Sequence, residues 1–273
     1  MDFTDEQKRG RAMKSISDLQ VKIFGDGADI ASILELSRKP FIKGFTTNPT
    51  LMRKAGVPDY AAFAALVLQQ IPERPVSFEV LADDEETMER QARYMASWGS
   101  NVYVKIPVTN TRREPMYELI QRLSQDGIQV NVTAVFTLEQ TRHVAQRLEG
   151  GAASNVSIFA GRIADTGRDP LPIMRDALDI VKGNERCELI WASPRELLNI
   201  FQADEIGCHI ITVTSDILKK LDLVGKDMDE FSLETVKMFY EDGRNSGYTL
   251  EPNILVERMA GRAIGATKRR RNS

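Results

Sequence analysis

The sequence has few of the residues that build metal centres and redox scaffolds. Its 273 residues include two cysteines, Cys187 and Cys208, and two histidines, His143 and His209. Neither cysteine belongs to a CxxC pair or a zinc-ligand spacing. That argues against a zinc site or a disulfide framework and for a reducing, cytoplasmic setting. His143 follows a helix-cap pattern and His209 lies in an apolar strand pattern, so both read as structural and no metal is expected. Charge of one sign is also lacking: 36 Lys and Arg against 39 Asp and Glu leave a net charge of -3, which makes no case for nucleic-acid binding. The one basic run, "KRRRNS" at 268–273, reads as a solvated tail. No apolar run approaches the roughly 20 residues that span a bilayer, so no membrane partner is expected. Residues 1–20 are too mixed and charged for a secretory leader. No GxGxxG follows the first strand-like segment, which removes the main reason to favour an open, doubly wound nucleotide-binding sheet.

What is present is an alternation. Eight short β-rich runs recur every 20 to 35 residues or so, the length of one βα unit. They are 21–26 "VKIFGD", 42–47 "IKGFTT", 75–80 "PVSFEV", 101–106 "NVYVKI", 128–133 "IQVNVT", 155–159 "NVSIF", 188–192 "ELIWA" and 208–213 "CHIITV". The stretches between them carry helical stripes. Met88, Ala92, Met95 and Ala96 share one face, and Met116, Leu119, Ile120 and Leu123 another. Asp83 with Glu86 and Thr137 with Gln140 read as cap pairs, and Gly127 as a helix stop. In "SPRE", Ser193 reads as a helix cap, Pro194 as the first helical position and Glu196 as the third.

This pattern predicts an α/β fold, a (β/α)8 TIM barrel with additional N-terminal and C-terminal helices. The expected organisation is one domain over 1–273: a leading helix in 1–20, the barrel in 21–222, two helices in 223–267 and the tail. At 42% hydrophobic residues and this length, such a domain buries a large core without staples.

Barrel active sites form where strands end and loops begin, so polar residues at strand ends matter most. In "VYVKI", Val104 and Ile106 suit the helix-packed exterior, which turns Lys105 into the barrel. Glu79 interrupts an equally apolar run beside Val80, and Asp26, Thr46, Thr47, Asn48, Asn131, Thr133 and Ser157 close other strands. A lysine held there loses water, and desolvation disfavours the charged form. A neutral amine attacks carbonyl carbon to give a Schiff base. Glu79 and Asp26 are the candidate acid/base groups, with Thr133 and Asn131 holding a water or hydroxyl. The bland alternative is a buried ion pair that only organises the core. A second cluster follows the seventh strand, where Ser193 and Arg195 at a helix start suit an anion, with Arg162 as a second cation. Its bland alternative is a plain helix cap and a surface arginine.

The segments "GFTTNPTLM", "FEV", "VYVKIPVT", "GIQVNVTAVF", "SIFAGRI" and "ASPRE" resemble, in this order, those of transaldolases over about 21–222. The resemblance implies a class I aldolase barrel that needs no metal or other cofactor. It implies Lys105 as the Schiff-base lysine, Asp26 as acid/base in carbon–carbon cleavage, and Glu79 with Thr133 holding a catalytic water. Asn48 and Asn131 would hold a dihydroxyacetone unit, with Ser157 beside them, and Arg162, Ser193 and Arg195 would bind phosphate. Related fructose-6-phosphate aldolases typically carry tyrosine at the position of Phe159 and glutamine at that of Glu79, and lack the asparagine found here as Asn131. All three positions side with transaldolase. Pro194 and the looser "GDGAD" around Asp26 depart from the family pattern.

The expected activity is transfer of a dihydroxyacetone unit from a ketose phosphate, fructose 6-phosphate or sedoheptulose 7-phosphate, to an aldose phosphate, as in the pentose phosphate pathway. An aldolase releasing dihydroxyacetone, a transaldolase of specialised sugar biosynthesis and a non-catalytic sugar-phosphate binder are the alternatives. The partners implied are sugar phosphates and, as in the family, further copies of the chain in a homo-oligomer.

Overall fold

The structure, a computed structural model, describes residues 15–250. Eight parallel strands close on themselves in sequence order: β1 Lys22–Asp26, β2 Ile42–Thr46, β3 Val76–Glu79, β4 Val102–Pro107, β5 Val130–Val135, β6 Ser154–Ile158, β7 Cys187–Trp191 and β8 Ile210–Thr214. The (β/α)8 barrel anticipated from the alternation is the observed fold. Ten helices interleave or follow: α1 Ile30–Ser37, α2 Pro49–Lys54, α3 Tyr60–Gln70, α4 Glu85–Ala96, α5 Tyr117–Gln125, α6 Leu138–Arg147, α7 Ala160–Ala164, α8 Pro170–Val181, α9 Leu198–Glu205 and α10 Ser215–Leu218.

The chain divides into two compact units, residues 1–224 and 225–273. In the second, α11 (Met228–Asn245) forms where the first C-terminal helix was expected, and Asp227 caps it by accepting from the Asp229 and Glu230 amides. The expected leading helix lies largely outside the described residues; of its span, Ile16–Asp18 forms a single 3-10 turn. The expected second C-terminal helix and the basic tail lie outside the described residues.

Strand alternation sorts the core into two layers. Val104, Ile106, Val130 and Val132 face outward and pack with Leu119, Ile120 and Leu123 under the helices, all at 0% exposure. A smaller inner cluster of Phe24, Ile190, Ala192 and Ile210 fills the barrel itself. Room for Phe24 comes from Gly44, its register partner on β2: a Cβ there would stand 2.6 Å from the Phe24 ring. The residues left facing inward above this plug are polar, and they form the site.

One cap reading needs correction here. Asp84, not Asp83, caps α4, accepting from the Thr87 amide at 2.9 Å. Asp83 instead accepts from the Thr111 amide at 2.8 Å and its hydroxyl at 2.6 Å. A cap must sit one residue outside the helix with extended backbone, and two adjacent aspartates offer the sequence no means of choosing. The Thr137–Gln140 capping box forms as read.

Candidate active site

Lys105 is 6% exposed and stands directly beside Glu79 in the β3–β4 register. Its Nζ lies 3.0 Å from Glu79 Oε2 and donates to the Thr47 carbonyl at 2.8 Å. On its other side the register partner is Asn131. The Asn131 amide donates to Ser77 Oγ at 3.0 Å and accepts from the Ser157 hydroxyl at 2.7 Å. β3, β4, β5 and β6 thus contribute to one polar belt around the amine, as the strand-end reading required.

Asp26 closes β1 and accepts from the Thr46 hydroxyl at 2.8 Å. Thr46 also meets the Thr212 hydroxyl of β8. Burial pushes the Asp26 carboxyl above its ordinary 3.8; the Lys105 charge and the Thr46 bond pull it down, and the Glu79 charge adds to the rise. A carboxyl tuned upward in this way is suited to taking and returning a proton.

Thr133 is 2% exposed, and its hydroxyl is one of the buried polar atoms without a hydrogen-bond partner. Its backbone setting is unusual. The next residue, Ala134, has φ +59°, and the β5–β6 register jumps from Val132↔Val156 to Val135↔Ile158. This bulge re-aims the strand end, as bulges next to functional sites do. A non-glycine residue in the left-handed region costs free energy that the surrounding barrel must offset. Asn48 lies at the end of the β2 segment and accepts from the Leu51 amide at 2.9 Å, capping α2.

The second cluster differs from its reading. Ser193 is not a helix cap: its φ is +61°, and the helix, α9, begins at Leu198. Pro194 and Glu196 are therefore not its first and third positions. The Arg195 and Glu196 amides both donate to Asn199 Oδ1, at 2.8 and 3.1 Å, so this turn is closed by a side chain. Gly161 of α7 packs against this left-handed turn, where a Cβ would stand 1.5 Å from the Ser193 carbonyl oxygen. The exposed Arg195 pairs with Asp165 through two bonds, Nε to Oδ1 at 2.9 Å and NH2 to Oδ2. Arg162 is exposed, with its guanidinium carbon 5.6 Å over the Phe159 ring and no carboxylate partner among the described residues. Phe159 packs on the inner cluster and lies 5.7 Å from Phe136.

Three participants were missed from sequence: Tyr60, Asp165 and Asn199. Tyr60 opens a helix away from the strand ends, and Thr47, one of the polar residues at the end of the β2 segment, takes part through its carbonyl, which no side chain reports. Asp165 and Asn199 meet Arg195 only through the fold. Of the two histidines, His143 stacks on Tyr117 with centroids 5.0 Å apart, and His209 Nδ1 accepts from the Leu189 amide at 3.0 Å. Cys187 and Cys208 are buried and unpaired, and burial pushes their thiols up to about 11 and about 12.

Comparison with known proteins bears on this constellation. The transaldolase/fructose-6-phosphate aldolase family matches residues 23–257, extending beyond the 21–222 span of the resembling segments into the C-terminal unit. A "Probable transaldolase" of Dehalococcoides mccartyi is 36% identical over 203 residues, 74% of this chain and 90% of its own. Another, from Thermoanaerobacter sp., is 34% identical over 230 residues, 83% of this chain and 99% of its own. Among solved structures, 2,3-dimethylmalate lyase superposes with a TM-score of 0.50 at 10% identity, covering 94% of this chain and 95% of that one. KGPDC from Streptococcus mutans gives 0.52 at 10%, covering 73% and 90%. At such identities these two speak for the barrel fold alone. A matched family over most of the chain, on a barrel with Lys105 buried beside Glu79, makes this protein a member of the transaldolase/fructose-6-phosphate aldolase family.

Proposed function

We propose that this chain is a transaldolase acting through a Schiff base on Lys105. The observation that carries the reading is the amine itself: a lysine 6% exposed, held between Glu79 and the Thr47 carbonyl, at the end of a barrel strand. Nζ would add to the C2 carbonyl of a ketose phosphate, fructose 6-phosphate or sedoheptulose 7-phosphate. Loss of water from the carbinolamine leaves an iminium. Asp26, whose carboxyl is shifted upward, would take the proton of the C4 hydroxyl as the C3–C4 bond breaks. The bond electrons pass to the iminium and leave a three-carbon enamine on Lys105, and an aldose phosphate departs. The enamine then adds to the carbonyl carbon of a second aldose phosphate, and Asp26 returns the proton. Hydrolysis of the product imine needs one water, for which the Glu79 carboxylate and the unpartnered Thr133 hydroxyl are the candidate anchors. Asn48, Asn131 and Ser157 would hold the hydroxyls of the three-carbon unit.

Phe159 supports transfer over release. Its ring lies at the end of β6 under Arg162, and a phenyl group has no proton to donate to the bound enamine, which therefore persists for an acceptor. Arg162, Ser193 and Arg195 form the phosphate end, with Arg162 the cation that lacks a carboxylate partner. We place the reaction in the cytoplasm, where buried thiols remain reduced, and expect a homo-oligomer, to be read by sedimentation. Among the described residues no helix is long and apolar enough to cross a membrane.

The deciding experiment is borohydride reduction in the presence of fructose 6-phosphate, followed by peptide mass spectrometry. A three-carbon adduct on Lys105 is expected. Turnover that survives Lys105→Ala would sink the mechanism. Free dihydroxyacetone produced without an acceptor would favour the aldolase alternative.

A further inference from the structure

We infer that Tyr60 is a positioning residue for the reaction: its hydroxyl stands in for a missing strand partner of Glu79 and so frees the Thr47 carbonyl to hold Lys105. The inference rests on the Schiff-base reading above, and it starts from the β2–β3 ladder. Phe45 N–H donates to the Pro75 carbonyl at 2.9 Å, and Thr47 N–H donates to the Ser77 carbonyl at 3.0 Å. Parallel strands repeat this exchange every two residues. The next donor would be residue 49 and its acceptor the Glu79 carbonyl. Residue 49 is Pro49, which has no N–H and opens α2. By the same alternation the Glu79 N–H would donate to the Thr47 carbonyl. That carbonyl instead accepts from Lys105 Nζ at 2.8 Å.

Both orphaned backbone groups of Glu79 are satisfied by one atom. The Glu79 N–H donates to the Tyr60 hydroxyl oxygen at 2.8 Å, and the Tyr60 hydroxyl donates to the Glu79 carbonyl at 3.0 Å. A phenol can do both at once because it is donor and acceptor together. Burial pushes the Tyr60 phenol well above its ordinary range, and so keeps it protonated and able to donate. The ring is held in place edge-on by Phe78, with centroids 6.2 Å apart, and by Trp98 at 6.0 Å. Tyr60 thus fixes the backbone from which the Glu79 carboxylate reaches Lys105, and it leaves the second Lys105 partner, the Thr47 carbonyl, unclaimed. Without the hydroxyl, the Glu79 N–H has one strand acceptor within its register, and that is the carbonyl Lys105 uses.

The test compares the full-length wild type with Tyr60→Phe, which keeps the ring. Borohydride trapping with fructose 6-phosphate counts working sites, and turnover is expressed per trapped site so that partial unfolding does not distort it. The expected result is a kcat per site lowered roughly 10- to 100-fold, the scale on which small displacements of catalytic groups act, with KM within about twofold. The loss should be non-additive with Glu79→Gln, since both act on one carboxylate. Wild-type kcat in Tyr60→Phe, or a loss that adds fully to that of Glu79→Gln, would overturn the inference and leave the Schiff-base reading standing. A wild type that forms no adduct overturns both. Should Tyr60→Phe not fold, the wild type still decides: its Glu79 amide must exchange hydrogen as slowly as the strand amide of Val104, and rapid exchange overturns the clamp.

Discussion

Glu79 and Lys105 are register partners on adjacent parallel strands, and their side chains meet at 3.0 Å on the inner face of the barrel. Parallel strands in register give neighbouring residues the same facing. The pair is therefore set by the backbone ladder and not by chance contact of two long side chains. A carboxylate fixed this closely to the amine can exchange protons and water with whatever forms on Nζ. The other polar strand ends are arranged around this pair.

Asp26→Asn keeps the shape and removes the titrating group. Cleavage should fall about 10²- to 10⁴-fold, the usual range for a general acid/base. Borohydride should then trap the intact ketose on Lys105 in place of the three-carbon fragment, which mass spectrometry distinguishes directly.

The same residue makes a prediction about pH. Its carboxyl is raised in the folded state from an ordinary 3.8, so the folded protein binds this proton more tightly than the unfolded chain. The contribution to stability is fully present below 3.8 and is lost as pH rises through the higher folded value. Denaturant unfolding of the wild type across that window should show a decline with rising pH that Asp26→Asn lacks.

Thr133→Val separates function from stability. The hydroxyl is buried and makes no hydrogen bond to the described residues, so replacing it with a methyl group breaks no bond within the protein. The melting temperature should hold or rise while turnover falls. A fall in both would show that the hydroxyl stabilises the fold and would argue against its role as a water anchor.

Gly161→Ala should be poorly tolerated, because the new Cβ would collide with the Ser193 carbonyl oxygen. Backbone cannot move aside as a flexible side chain can, and overpacking of this kind costs about 1–3 kcal/mol. Calorimetry should show a lowered melting temperature, and KM for a phosphorylated ketose should rise as the Ser193 loop shifts.

Asp165→Asn releases the Arg195 guanidinium from its bidentate partner. Both side chains are about half exposed, so folding stability should hardly change. KM for the phosphorylated ketose should fall several-fold if the carboxylate competes with phosphate. An unchanged or higher KM would instead make Asp165 the residue that aims Arg195.

Much of the architecture was legible because its signals are periodic and local. The eight strands lie within two residues of their expected spans, since a buried parallel strand must be a short apolar run between loops. Lys105 and Glu79 were legible for the opposite reason, as charges where the period demands apolar side chains. Two neighbouring patterns misled. Ser193-Pro194 looks like a helix start, but Ser193 is a left-handed turn and α9 begins only at Leu198. The Asp83–Asp84 pair offered two caps of equal chemistry.

The sequence by itself determined the barrel, the inward lysine and the set of polar strand ends. Alternation and βα spacing are properties of consecutive residues, and their physical cause is the hydrophobic facing of each element. Only the tertiary structure decided who meets whom. Tyr60 reaches Glu79 from 19 positions away, and Lys105 reaches the Thr47 carbonyl from 58 away. Those contacts depend on β2, β3 and β4 lying side by side and on the point where Pro49 ends the β2 ladder. Both are matters of register between strands, which no single stretch of sequence contains.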